Sequence, residues 1–167
     1  MLHAVIGLIV AGRVGVASGL FWIVAVTGSI LLHEFGHVLT GRYFGAESEI
    51  VLTFLGGAAV GSLDLHERQQ RVLVIIAGPA VQLAFAGLLC LAFLGLGQVR
   101  FIETRWLLSV QIALLELCGL NVTWALFNLL IPIPPLDGGR LLMEFIEAQR
   151  PGGTAPWERD PNWWKRS

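Results

Sequence analysis

The chain has 167 residues, of which 55% are hydrophobic and only 14% charged, and its mean hydropathy is +0.72. A soluble domain carries roughly 25% charged residues, and intrinsic disorder needs low hydrophobicity with high net charge, so this composition excludes both. The formal net charge of −1 offers no basic field, so nucleic acid is not expected as a partner.

Residues 1–12 are apolar but shorter than the roughly 20 needed to cross a bilayer. They read as part of an additional helix at most. Met1-Leu2-His3-Ala4 brings no basic stretch, so a cleaved signal peptide is not expected. A first span is predicted from Val14 to about Tyr43, with no charge as far as Leu32. In the loop that follows, Ser48 to Leu63, two β-prone runs flank Gly56-Gly57, the signature of a hairpin. Asp64 to Arg71 is polar and leads into a second span between Arg71 and Arg100. The third span runs from Trp106 to about Ile131 and is broken only by Glu116. That carboxyl is expected to be protonated and hydrogen-bonded inside the bundle. Asn121 and Asn128, seven residues apart on one helical face, are expected to bond between helices. Cys90 and Cys118 lie in apolar blocks and read as core residues.

Pro132-Ile133-Pro134-Pro135 cannot be helical, and a short helix is predicted over Gly138 to Ala148. Residues 150–167 read as a short cytoplasmic tail. The fold class expected is an all-α polytopic membrane protein. It has three transmembrane helices, or four if residues 1–13 contribute, and a small cytoplasmic β-hairpin. Residues 1–149 form one core. Orientation follows from the basic residues. Arg42, Arg68, Arg71, Arg140, Arg150, Arg159, Lys165 and Arg166 fall on one side, and Arg13, Arg100 and Arg105 on the other. Eight against three places the 42–71 loop and the C-terminus in the cytoplasm of a multi-pass cell-membrane protein.

The residues with the clearest chemistry are His33-Glu34-Phe35-Gly36-His37. Positions i and i+4 share a helical face, so both imidazoles can reach one metal ion, with Glu34 beside them as a general base. Two histidines and a glutamate nine residues inside Arg42 are expensive within a membrane unless they serve a function. Neutral imidazoles suit zinc. A third ligand must come from elsewhere: Glu116, Asp137, Glu144 and Glu147 are the candidates. Asp137 stands in Pro134-Pro135-Leu136-Asp137-Gly138-Gly139, a rigid turn. Parity also supports it, because one span out and one span back bring this turn to the side of the histidines. Depth is a tension, since the third span has used about 39 Å of helix by Ile131 and the aspartate must reach back inward.

His-Glu-Phe-Gly-His inside a span, Gly-Gly in a hairpin, Ala77-Gly78-Pro79 early in the next span, and Pro-x-Pro-Pro-Leu-Asp-Gly-Gly after the third resemble the site-2 protease family. These are intramembrane zinc metalloproteases, and the likeness is greatest to their small, sporulation-type members. It covers roughly residues 15–147. It implies Zn2+ held by His33, His37 and Asp137, with Glu34 as the catalytic base. It also implies an endopeptidase that cleaves the membrane-spanning segments of protein substrates. The family pattern has an asparagine eight residues before the aspartate. Here Leu129 stands there and Asn128 is nine away. Asn128, Gly56 and Gly57 are the candidate substrate contacts. An extended substrate could add to the edge of the 49–55 strand. Partners expected are a transmembrane protein substrate, the lipid bilayer, and a regulatory membrane protein or a second copy. Two other readings are a non-proteolytic chaperone or regulator of transmembrane segments, which has no need of Glu34, and a zinc transporter. The transporter would want ligands at several depths, and the outer half offers only Glu116.

Overall fold

The computed structural model describes residues 16–52, 57–97 and 105–149. Residues 1–13, Gly56, Arg100 and the 150–167 tail lie outside them. Helix α1 spans Val16–Tyr43 and is followed by strands β1 (Glu49–Leu52) and β2 (Gly57–Val60). Helices α2 (Arg68–Gly97), α3 (Arg105–Leu130) and α4 (Asp137–Gln149) complete the described residues. The chain is thus an all-α polytopic membrane protein with a two-stranded hairpin. Among the described residues, three helices are long and apolar enough to cross a bilayer, with mean hydropathies of 1.4, 2.3 and 1.6. The 30 residues of α2 extend about 45 Å, ample for a hydrocarbon core of about 30 Å.

Helix α1 ends where Gly45 adopts a φ of +93°, a conformation that glycine reaches without a Cβ clash. Arg42 Nε then donates to the Ser48 carbonyl at 2.8 Å and turns the chain into the hairpin. The strands pair antiparallel, with Ile50 opposite Ala59 and Leu52 opposite Gly57. Strand β2 is the one packed more closely on α1, which leaves β1 as the outer strand.

Helix α2 lies between α1 and α3. The α1–α2 approach is backbone to backbone: a Cβ at Gly36 would sit 2.6 Å from the Ala77 carbonyl oxygen and 2.8 Å from the Gly78 Cα. Small side chains at such crossings let membrane helices come close. On the other side of α2, Ala86 and Leu89 pack with Cys118 of α3. The remaining apolar surface faces outward, as at Val24 (71% exposed) and Leu91 (66%), which suits helices surrounded by lipid.

The depth tension is resolved by a fold-back. After Leu130 the chain turns through Pro132–Pro135, with a cis peptide between Pro134 and Pro135. The first turn of α4 then seats against the end of α3. A Cβ at Gly138 would meet the Leu129 carbonyl oxygen at 2.4 Å, and one at Gly139 the Ile133 carbonyl carbon at 2.4 Å. The glycine pair lets Asp137 return to the level of Asn128. Glu116 departs from expectation: it lies exposed on the outer surface of α3 rather than inside the bundle. Its position along α3 turns it away from α2, so interior partners are out of reach.

Candidate metal centre

His33 and His37 stand one turn apart on α1, and Asp137 arrives from the first turn of α4. All three are buried, at 2%, 2% and 3% exposure. Their ligand atoms converge within 4.8 Å of one another. The two Nε2 atoms are 3.1 Å apart. His33 Nε2 lies 3.1 Å from Asp137 Oδ2, and His37 Nε2 lies 3.4 Å from Oδ1.

The outward-facing nitrogens show what this cluster can hold. His37 Nδ1 is 2.7 Å from the Val74 carbonyl, which can only accept, so Nδ1 carries the proton. His33 Nδ1 is 3.1 Å from Gln82 Oε1, and the same reasoning protonates it. Each neutral ring then points an Nε2 lone pair inward, toward the other and toward a carboxylate. Asp137 Oδ2 is buried without a hydrogen-bond donor despite its closeness to His33. Three electron-rich atoms facing one another in a buried space are repulsive unless a cation joins them. Two imidazole nitrogens and one carboxylate oxygen form the donor set of a catalytic zinc site with a position left open.

Neighbouring residues fix the ligands. Gln82 is fully buried on α2 and orients His33, while the Val74 carbonyl orients His37. Such outer partners hold the ring tautomer and raise ligand basicity. Gly78 leaves room for the His37 ring. Asn128 reaches the centre in spite of its one-residue offset, with Nδ2 2.8 Å from His33 Nε2. Glu34 is not among the converging atoms. Its Oε2 accepts from the Ala59 backbone N–H at 2.7 Å, and a Cβ at Gly57 would sit 2.7 Å from Glu34 Cγ. Gly57 thus packs against Glu34 as the first residue of β2 rather than forming an open turn tip, and Gly56 lies outside the described residues.

The other ligand candidates are placed elsewhere. Glu144 forms a bidentate ion pair with Arg71, at 2.7 and 3.0 Å. Arg71 also donates to the carbonyls of Leu65 and His66 at 2.9 and 3.0 Å, which ties α2, α4 and the segment after the hairpin together. Glu147 lines a separate cavity of about 540 Å3 with Asp64 and His66. Gln82 was the residue that sequence reasoning missed. Its one signal was an amide eleven residues past Arg71 in an otherwise apolar block.

Residues 21–113 match the model of peptidase family M50, and the chain belongs to that family, which contains the site-2 proteases. A Synechocystis sp. protein with zinc metalloprotease in its name is 37% identical over 131 residues, covering 77% of this chain and 32% of that protein. Rip3 of Mycobacterium tuberculosis, also named as a zinc metalloprotease, is 28% identical over 143 residues, 79% of this chain and 34% of its own length. A zinc metalloprotease of Methanocaldococcus jannaschii is 29% identical over 133 residues, 77% and 36%. The chain therefore spans about a third of the length of these curated relatives. No solved structure matches. Zinc is the metal that the family and the donor set both indicate.

Proposed function

We propose that this chain is the catalytic core of a zinc-dependent intramembrane endopeptidase that cleaves membrane-spanning segments of protein substrates. The observation that carries the reading is the convergence of His33 Nε2, His37 Nε2 and the Asp137 carboxylate with both Nδ1 protons already donated outward. These three residues would hold the ion. Zinc, when bound, supplies Lewis-acid polarisation of the scissile carbonyl and brings the pKa of a water toward ~7.

The rest is done by the chain. Glu34 is held at Oε2 by strand β2, which leaves Oε1 to accept a proton from water. As the C–N bond breaks, that proton passes to the departing nitrogen. Asn128 offers an amide N–H at the edge of the centre, where it can steady the carbonyl oxygen of the segment being cut. A helical segment hides its carbonyls, so the substrate must be extended there. Strand β1, the outer strand of the hairpin, is an edge on which it can pair. The basic-residue count assigns the hairpin to the cytoplasmic side. Cysteines placed in the 64–70 loop and in the tail should react with impermeant reagents from that side alone, and reaction from outside would reverse the assignment.

The test of activity is co-expression with tagged single-span proteins. Wild type should release a fragment that Glu34→Gln does not. Cleavage by Glu34→Gln at the wild-type rate would overturn the reading.

A further inference from the structure

Glu116 takes no part in the metal centre, and among the described residues it has no hydrogen-bond or ion-pair partner. It stands nine residues from Leu107 and fourteen from Leu130, the ends of the α3 span. Along a helix these are about 14 Å and 21 Å, which puts the carboxyl well inside the hydrocarbon. It is exposed on the outside of the helix. A carboxylate is among the least favourable groups to leave facing lipid.

The same face of α3 carries Ser109, Ile112, Gly119 and Thr123, all exposed. With Glu116 they follow alternating steps of three and four residues, the seam spacing of a left-handed helix pair. The opposite face, with Cys118, Asn121 and Ala125, is buried. Gly119 leaves the approach beside Glu116 open: a Cβ there would meet nothing within 4 Å, as at Gly28, Gly87 and Gly95 on the other spans. The missing side chain at 119 thus serves no contact within the described chain, although it opens a flat approach beside the carboxyl.

We propose that this face docks a transmembrane helix of another protein that presents an N–H donor at mid-depth: an ammonium, a guanidinium or a carboxamide. Charge complementarity selects the occupant. An N–H donor pairs with the carboxyl whether it is ionised or protonated, whereas a second copy brings another carboxyl, which pairs only where at least one of the two is protonated. Lipid gives the carboxyl no partner at all. The docked helix is a recruiter or regulator rather than the segment being cut, because Glu116 faces about 120° around α3 from Asn128 at the metal centre. The inference is independent of the proteolytic reading.

The experiment uses the full chain, fluorescently labelled and reconstituted in phosphatidylcholine vesicles. The probes are two labelled peptides, each of about 20 leucines, one with a central lysine and one without. Energy transfer reports association. The lysine peptide should bind wild type about tenfold more tightly than it binds Glu116→Leu, the scale of one interhelical polar contact. The all-leucine peptide should bind both weakly and equally. Gly119→Leu should weaken the lysine peptide by blocking close approach, and Glu116→Gln should fall between wild type and Glu116→Leu. Zinc content checks that each variant is folded. If Glu116→Leu does not insert, the comparison is carried by Glu116→Gln and Gly119→Leu. Equal binding of the lysine peptide to wild type and the variants overturns the proposal. So does transfer between wild-type copies that is lost in Glu116→Leu, which would make the occupant a second copy.

Discussion

Gly78 and His37 share one space: a Cβ at position 78 would lie 2.3 Å from His37 Nε2 and 2.5 Å from Cε1. The ring is pinned on its far side by the Val74 carbonyl, so it cannot retreat without losing that bond. Gly78→Ala should therefore push the ring off its ligand position and lower zinc content, at an overpacking cost of about 1–3 kcal/mol. Gly87→Ala, on the same helix with open space around it, should leave zinc unchanged and raise stability by about 0.5–1 kcal/mol. Metal analysis and thermal unfolding of both variants make the check.

Asp137 and Glu34 should separate ligand from base. Glu34→Gln keeps both imidazoles and the carboxylate, so zinc should stay while cleavage falls on the order of 10² or more. Asp137→Ala removes a ligand oxygen, so zinc and activity should fall together. Asp137→Asn keeps an oxygen without the charge and should retain part of the zinc. Metal content and cleavage are read on the same preparations. Full zinc in Asp137→Ala would leave the aspartate as no more than the first residue of α4.

Gln82 gives His33 Nδ1 its acceptor. Gln82→Met has similar size and no acceptor, so zinc should bind about 10–100-fold more weakly. Gln82→Glu restores an acceptor and should recover the affinity. Competition against a chelator of known affinity measures both. Equal weakening in the two variants would mean that Gln82 only fills volume.

Arg71 and Glu144 clamp α4 onto α2 with side chains only 11% and 12% exposed. Removing one partner strands the other, so Glu144→Leu should destabilise by about 3–5 kcal/mol. It should also weaken zinc, because α4 carries Asp137. The double variant Arg71→Met, Glu144→Leu should be less damaged than the single one. Denaturant unfolding in detergent reads the stability. A harmless Glu144→Leu would show that the fold-back at Gly138 and Gly139 holds α4 alone.

The three spans were legible because an apolar block of that length has few other fates, and His33 with His37 because a four-residue step on a helix fixes their geometry. Asp137 was legible as the carboxylate on a rigid turn. What the sequence did not disclose depends on rotation and on distant partners. Gln82 contacts a residue 49 positions away, and no local pattern encodes that pairing. The outward turn of Glu116 depends on which face of α3 meets α2, and three nearly uniform apolar helices hide that choice. Asn128 looked misplaced by one residue. The fold-back after Leu130 brings it to His33 all the same, because the turn sets how helix and aspartate meet.

The residues of the candidate centre come from opposite ends of the described chain: His37 and Asp137 are 100 residues apart. At ribosomal rates of about 5–20 residues per second, the histidines emerge roughly 5–20 seconds before the carboxylate exists. A nascent chain thus enters the membrane with two thirds of a binding site and nothing to complete it. Only when α3 has crossed and the chain has doubled back can the centre close. The order of residues along the chain therefore sets the earliest moment at which the centre can close.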